Sequence, residues 1–433
     1  MAKVGFITLG CPKNEADTAR MRALIASSSY ELASQVEDAD IAIVNTCGFI
    51  TTATEESLEC IFDLAREWLP VGENRHLVVV GCMTSRYGSQ LTDEMPEVSL
   101  FLSVSEEADL LDHLDVLTGA VSRRSAVDIK RTAEGPSEYV MIADGCDKKC
   151  SFCTIPSIRG SYRSRSLAEI IDEVCALVAT GAREIILIAQ DTSRYGYDLD
   201  EEVTLSTLID TLSAVDGLQW LRVMYVQPEG LTDELLDAMR RNEKVVPYFE
   251  IPMQHASKRI LRDMGRGGDG ESFFERITQI RRLFPDAVIR TTLIAGYPGE
   301  TEAEFQELVE FVERAHFDYV GVFAYSPEEG TVAADRDEQI PEDVRIRRAQ
   351  IVRDVAEEIS FERGEGWIGK EIEVLIEGVD EDDEWYGRFY GQAPEIDGVV
   401  RLTPSKDVQP ESGMIVRVEV EDTFLFDLEG TIR

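Results

Sequence analysis

Between Tyr139 and Phe323 six short apolar runs are each separated from the next by a stretch of helical period, and this alternation limits the chain more than any other feature. The runs are Tyr139 to Ala143, Glu184 to Ala189, Trp220 to Val226, Tyr248 to Ile251, Val288 to Ile294 and Tyr319 to Phe323. Helical patterns near Leu167 to Ala179, Leu205 to Val215, Thr232 to Arg241, Glu271 to Leu283 and Glu302 to Ala315 lie between them. Strands that are apolar on both faces belong to parallel sheets covered by helices, so the repeat predicts a full or partial α/β barrel.

The first hundred residues carry a shorter version of the same pattern. Strands are expected over Lys3 to Leu9, Ile41 to Asn45 and His76 to Val80, with helices over Asn14 to Ala26 and Ala53 to Trp68. This is an α/β domain with a parallel sheet. Arg123 to Ser137 is polar and aperiodic, and reads as a linker. After a charged helix over Arg345 to Glu362 the character changes. Lys370 to Ile376, Glu384 to Tyr390, Gly398 to Leu402, Met414 to Val420 and Phe424 to Ile432 form five strand-like runs, which predict a small antiparallel β-barrel. The expected domains are residues 1–122, 138–364 and 367–433.

Six of the eight cysteines fall at the ends of predicted strands. Cys146, Cys150 and Cys153 follow the first barrel strand with the spacing C-x3-C-x2-C, while Cys11, Cys47 and Cys82 each stand one or two residues beyond a strand of the first domain. In an open α/β sheet those ends share one edge, where ligands bind. The N-terminus lacks the long apolar region of a signal peptide and no run is long enough to span a membrane, so a cytoplasmic, soluble protein is expected, in which clustered cysteines serve metal binding or catalysis. Three thiolates on a [4Fe-4S] cube leave the fourth iron open, as chelation of S-adenosylmethionine requires. A closed zinc site would need a fourth ligand, and the chain has only four histidines. Cys60 and Cys175 lie in amphipathic helical patterns and are expected to be small buried hydrophobes.

The net charge is −40, from 83 acidic and 43 basic residues. Such a field repels phosphate backbones and attracts basic partners, and high-salt adaptation would produce it as well. The terminal module from Trp367 to Arg433 holds 17 acidic and 6 basic residues, a net −11, with the run Asp380-Glu381-Asp382-Asp383-Glu384.

C-x3-C-x2-C with an aromatic residue, Phe152, before the last cysteine resembles the radical S-adenosylmethionine superfamily. With the second cysteine trio and a small TRAM-like terminal barrel, the chain resembles the methylthiotransferase family over essentially its whole length. Gly10-Cys11-Pro12-Lys13-Asn14, Asn45-Thr46-Cys47-Gly48-Phe49-Ile50, Ile155-Pro156-Ser157-Ile158-Arg159-Gly160, Ala189-Gln190-Asp191-Thr192 and Tyr325-Ser326-Pro327-Glu328-Glu329-Gly330-Thr331 resemble its RimO branch. That branch modifies an aspartyl residue of the twelfth small-subunit ribosomal protein. Thr51 and Ser166 depart from its pattern, where an acid and a proline are usual.

The resemblance implies two [4Fe-4S] clusters, one on Cys146, Cys150 and Cys153 that binds S-adenosylmethionine, and an auxiliary one on Cys11, Cys47 and Cys82 that holds the sulfur to be methylated. It implies two molecules of S-adenosylmethionine, a sulfur donor, a reducing electron donor and a ribosomal protein as substrate; the charge of the terminal module makes it the expected dock for that basic protein. The tRNA-modifying MiaB branch is the alternative. Phe152 inherits contact with the cofactor's adenine, and Gln190, Asp191 and Gly296 are candidate pocket residues at strand ends. Around Gly296, the segment Leu293 to Glu300 suits either close approach to a cofactor or a strand-to-helix turn. His255 either faces the site or is packed, and Gly265-Arg266-Gly267-Gly268 reads only as a turn.

Overall fold

A computed structural model of the chain describes all residues except Met1, Glu73, 121–129, Glu201 and Asp407. The fold divides into two compact units. The first comprises residues 1–132, 144–148 and 153–163, and the second 133–143, 149–152 and 164–433. Much of the expected linker at 123–137 lies outside the described residues.

In the first unit, strands β1 (Lys3–Thr8), β2 (Glu31–Leu32), β3 (Ile41–Thr46), β4 (His76–Gly81) and β5 (Leu100–Ser103) form one parallel sheet in the order β2-β1-β3-β4-β5. Every residue of β3 is buried. Ala42 and Val44 with Leu77 and Val79 pack into one core, while Ile41 and Ile43 with Val78 and Val80 pack into another on the opposite face. A strand covered on both sides needs apolar residues at every position, and each fully buried Val, Ile or Leu contributes about 1.5–3 kcal/mol. β1 ends at Thr8, so Cys11 stands three residues beyond it rather than two, and the helix Pro12–Ala26 follows at once with proline in its first turn, where a missing N–H costs nothing. The expected helix over Ala53 to Trp68 is an α-helix, Thr51–Asp63, that continues as a π-helical turn, Leu64–Trp68.

In the second unit, β6 (Ser137–Met141), β7 (Glu184–Ile188) and β8 (Trp220–Val223) form one parallel three-stranded sheet, and β9 (Tyr248–Gln254), β10 (Val288–Ala295) and β11 (Tyr319–Ala324) form another. A bridge from Leu221 of β8 to Val245, three residues before β9, sets the two sheets in succession as a partial barrel of six strands. Helix starts are set by local sequence. Ser166, Thr301 and Asp269 cap the helices Leu167–Thr180, Glu302–Ala315 and Gly270–Leu283, each in a reciprocal capping box with the residue three positions on. Ser166 thus does a job here that a proline at that position would not. Cys175, on the helix Leu167–Thr180, is exposed, contrary to expectation, because it lies on the face turned away from Ile170, Val174 and Leu177. Cys60 is only half-buried, packed beside one core of the first unit.

The terminal module is a closed barrel of β12 (Glu371–Val379), β13 (Trp385–Phe389), β14 (Val400–Thr403), β15 (Ile415–Phe424) and β16 (Asp427–Ile432), in the order β12-β13-β14-β16-β15. It is not wholly antiparallel, since β14 and β16 run parallel. The run from Phe424 to Ile432 is not one strand either. Leu425, with φ of 51°, turns the chain, so Phe424 ends β15.

This barrel packs against the starts of the partial barrel's strands. Glu184, first in β7 and wholly buried, pairs with Arg222 at 2.7 Å and with Arg388 of β13 at 2.5 Å. Arg388 also pairs with Glu377, and Ser137, first in β6, donates to both carboxylates. Burial alone would raise the Glu184 carboxyl, but Arg222 and Arg388 hold it below the usual range. Arg290 of β10 pairs with Asp397 at 3.0 Å. Within this unit Cys150, Gln190 and Gly296 lie past the opposite, carboxyl ends of the strands.

Candidate functional site

Cys11, Cys47 and Cys82 leave the carboxyl ends of the adjacent strands β1, β3 and β4, and the local packing draws them together. The Sγ atoms of Cys11 and Cys82 approach Asn14 Oδ1, at 3.6 and 4.0 Å. Asn14 is fully buried and fixed by donation from Nδ2 to the Thr46 carbonyl at 3.0 Å. Gly10 has φ of 105°, and a Cβ there would stand 2.8 Å from Cys47 Cβ, so only glycine lets the Cys11 loop pass this close to Cys47. Burial raises the Cys47 thiol, and it pushes the Cys82 thiol up to about 12 against the opposing pull of Arg159.

Arg159 lies in the short helix Ile155–Arg159 after the second cysteine motif, and belongs to the same unit. Its side chain is 2% exposed. One terminal nitrogen donates to Asp17 at 2.8 Å and to Cys82 Sγ at 3.5 Å, and the other to Asp144 at 3.1 Å. Burial opposes its charge, but Asp17, Cys82 and Asp144 together keep it firmly protonated. Beside it opens a cleft of about 580 Å³ lined by Ser85, Ser103, Asp144, Ser157, Arg159 and Tyr162, among others.

Of the second trio, Cys146 and Cys153 belong to the first unit and Cys150 to the second. The Cys146 N–H donates to the Gly160 carbonyl at 3.0 Å, and the Ile155 N–H reaches Cys153 Sγ at 3.5 Å. Arg266 Nη1 lies 3.9 Å from Cys150 Sγ, with its other nitrogen on the Pro252 carbonyl and Gln227. The segment read as a mere turn therefore brings a guanidinium to a candidate ligand. Its signal was an arginine between glycines, which sequence pattern alone does not separate from a surface turn.

The other candidates separate. Phe152 is half-buried and packs with Ile260, Met264, Tyr297 and Tyr325. Asp191, 1% exposed, precedes a short 3-10 turn and accepts from Ser193 Oγ at 2.5 Å, and Gln190 is half-buried beside it. Gly296 has φ of 80°, and a Cβ there would meet Arg345 Cα at 2.9 Å. The room it makes is taken by Arg345, and its N–H donates to Glu300 at 2.9 Å. His255 is the packed alternative: it is wholly buried, with Nδ1 accepting from the Ser257 N–H and Nε2 against Glu300. Sequence reasoning gave no hint of strain at the strand ends, where Tyr225 and Gln254 take φ of 60° and 73°.

Among the described residues no three His, Cys, Asp or Glu side chains close on a single metal ion. Thiolates that each take a different iron of a cube stand further apart than ligands of one ion, and N–H donors aimed at sulfur suit a cluster. The Cys11, Cys47 and Cys82 set, which lies within one unit, fits an iron-sulfur cluster on that chemistry.

Residues 140–312 match the radical SAM superfamily, 368–432 the TRAM domain, and 3–103 a family described as uncharacterized protein family UPF0004. The ribosomal protein uS12 methylthiotransferase RimO of Aquifex aeolicus is 40% identical over 432 residues, covering 99% of this chain and 96% of its own. The chain belongs to the RimO family. The RimO of Desulfitobacterium hafniense is 38% identical, with 99% and 98% covered. RimO family membership makes the chain a radical S-adenosylmethionine methylthiotransferase, with S-adenosylmethionine and iron-sulfur clusters as cofactors. For the fold alone, the radical S-adenosylmethionine methyltransferase TsrM from Kitasatospora setae aligns with a TM-score of 0.56 at 14% identity, over 76% of this chain and 77% of that one. No helix among the described residues is long and apolar enough to cross a membrane.

Proposed function

We propose that this chain adds a methylthio group to the β-carbon of an aspartyl residue of ribosomal protein uS12, in the cytoplasm, using two molecules of S-adenosylmethionine and a sulfur donor. The observation that carries the reading is the pair of cysteine sets at the carboxyl ends of parallel strands, in a chain similar to RimO enzymes from end to end. Cys146, Cys150 and Cys153 hold the cluster that binds S-adenosylmethionine, and Cys11, Cys47 and Cys82 hold the auxiliary cluster. Residues 1–122, 138–364 and 367–433 divide the work into sulfur holding, radical generation and recruitment. When bound, the cofactors supply a carbon radical and a methylated sulfur, which opens a C–H bond that no acid-base pair would deprotonate.

The protein's part is placement. Phe152, Gln190, Asp191 and the Gly296 turn lie past strand ends of the partial barrel, where the family binds S-adenosylmethionine, and Arg266 holds the Cys150 loop. The acidic barrel recruits the basic protein substrate. Because it packs against the strand starts, away from Cys150 and Gln190, its acids act on association rather than on the chemical step. The reducing electron donor approaches the Cys146 to Cys153 loop.

Reconstituted enzyme with reductant, sulfide and S-adenosylmethionine should convert uS12 to a product heavier by one methylthio group in place of one hydrogen, located on an aspartyl peptide by mass spectrometry. Modification of tRNA adenosine with unmodified uS12 would overturn the substrate assignment in favour of the MiaB type.

A further inference from the structure

Arg159 pairs with Asp17 at 2.8 Å, and its contacts also reach the two cysteine motifs by different routes. It donates to the sulfur of Cys82, and it pairs with Asp144, two residues before Cys146. A buried guanidinium is costly to desolvate and is retained where specific anions face it. Asp17 and Asp144 would satisfy a purely structural arginine, yet the nitrogen that binds Asp17 is also directed at Cys82 Sγ. Hydrogen bonds and charge at ligand sulfur are levers by which a protein sets the potential of an iron-sulfur cluster.

Resting on the reading that Cys11, Cys47 and Cys82 hold the auxiliary cluster, we propose that Arg159 is a positioning residue for that cluster, setting how readily it accepts an electron. The direction follows from charge. Without the guanidinium, the negative charge of Asp17 and Asp144 is no longer offset by the cation that contacts Cys82, so an added electron is disfavoured and the potential falls. Without the Asp17 carboxylate, the guanidinium is less neutralised and the potential rises. The consequence for the enzyme is partition of electrons: both clusters draw on one reductant, and the electron is needed where S-adenosylmethionine is bound.

The test is an EPR-monitored redox titration of the full-length enzyme with both clusters loaded, the auxiliary signal being the one that does not change on adding S-adenosylmethionine. If the unsubstituted chain gives only one titrating cluster, the two-cluster reading fails, and the Arg159 proposal falls with its premise. With two, Arg159→Met should lower the ratio of reduced to oxidised auxiliary cluster at fixed potential at least about tenfold, or about 59 mV for a one-electron couple. Arg159→Lys should restore part of the loss, and Asp17→Asn should shift the ratio the other way. A structural role alone predicts lost iron without opposed shifts. If Arg159→Met fails to load the auxiliary cluster, Arg159→Lys and Asp17→Asn decide. An unchanged midpoint, or shifts of the same sign from Asp17→Asn and the arginine substitutions, overturns the proposal.

Discussion

Replacing Arg388 with Met removes a cation that joins the terminal barrel to the base of the partial barrel while keeping most of the side chain's bulk. Arg388 is 2% exposed, pairs with Glu184 and Glu377, and donates to the Gln392 carbonyl at 2.6 Å. Removing one partner from a buried ion pair costs about 3–5 kcal/mol. Glu184 keeps Arg222, so the lower end applies, roughly 3 kcal/mol, or more than a hundredfold in an opening equilibrium at 1.4 kcal/mol per factor of ten. Hydrogen exchange of amides in residues 371–432 should accelerate by that order, and a double-mutant cycle with Glu184→Gln should return a coupling of at least about 1 kcal/mol. The pH dependence has a definite sign. The arginines hold the Glu184 carboxyl low, so its contribution is present above the ordinary glutamate range, near 4.3, and is lost as pH falls through the lower folded value. The difference between Arg388→Met and the parent should therefore shrink in acid. S-adenosylmethionine cleavage should persist wherever the variant is folded, since the network sits at the strand starts. Unchanged exchange in 371–432 at neutral pH, or lost cleavage in a folded variant, would refute this reasoning.

Two further outcomes follow from the site. Gly296→Ala meets both a left-handed backbone and the Arg345 backbone, so it should destabilise the fold by at least about 1–3 kcal/mol and weaken S-adenosylmethionine binding, read by thermal unfolding and calorimetry. Replacing Asp380, Glu381, Asp382, Asp383 and Glu384 with their amides should slow association with uS12 and flatten its salt dependence, with cluster content and uncoupled cleavage unchanged; association rates that ignore the substitution would leave the acids a role in solubility only.

The strands were legible because their residues are apolar on both faces, as in Ile41 to Val44, and the helices because stretches of helical period separate them. The cysteines were legible as candidates because spacing and strand ends coincide in sequence. Contacts between segments far apart in the chain were not legible. Nothing local to Ile155 to Gly160 says that Arg159 reaches Asp17, 142 positions away, and nothing in Gly265 to Gly268 says that Arg266 reaches Cys150. The parallel pairing of β14 with β16 was missed for a related reason, since strand direction in a barrel is set by closure and not by the period of either strand. Cys175 was misplaced because a helical period alone leaves the phase of a small, ambivalent residue open.

The most direct measurement is a comparison of iron, S-adenosylmethionine cleavage and methylthio product in three chains: the parent, one with Cys11, Cys47 and Cys82 changed to Ala, and one with Cys146, Cys150 and Cys153 changed to Ala. The account predicts about eight irons in the parent and about four in each variant, with cleavage kept but product lost in the first variant, and both lost in the second. A parent with about four irons, or product formed without Cys11, Cys47 and Cys82, would contradict it.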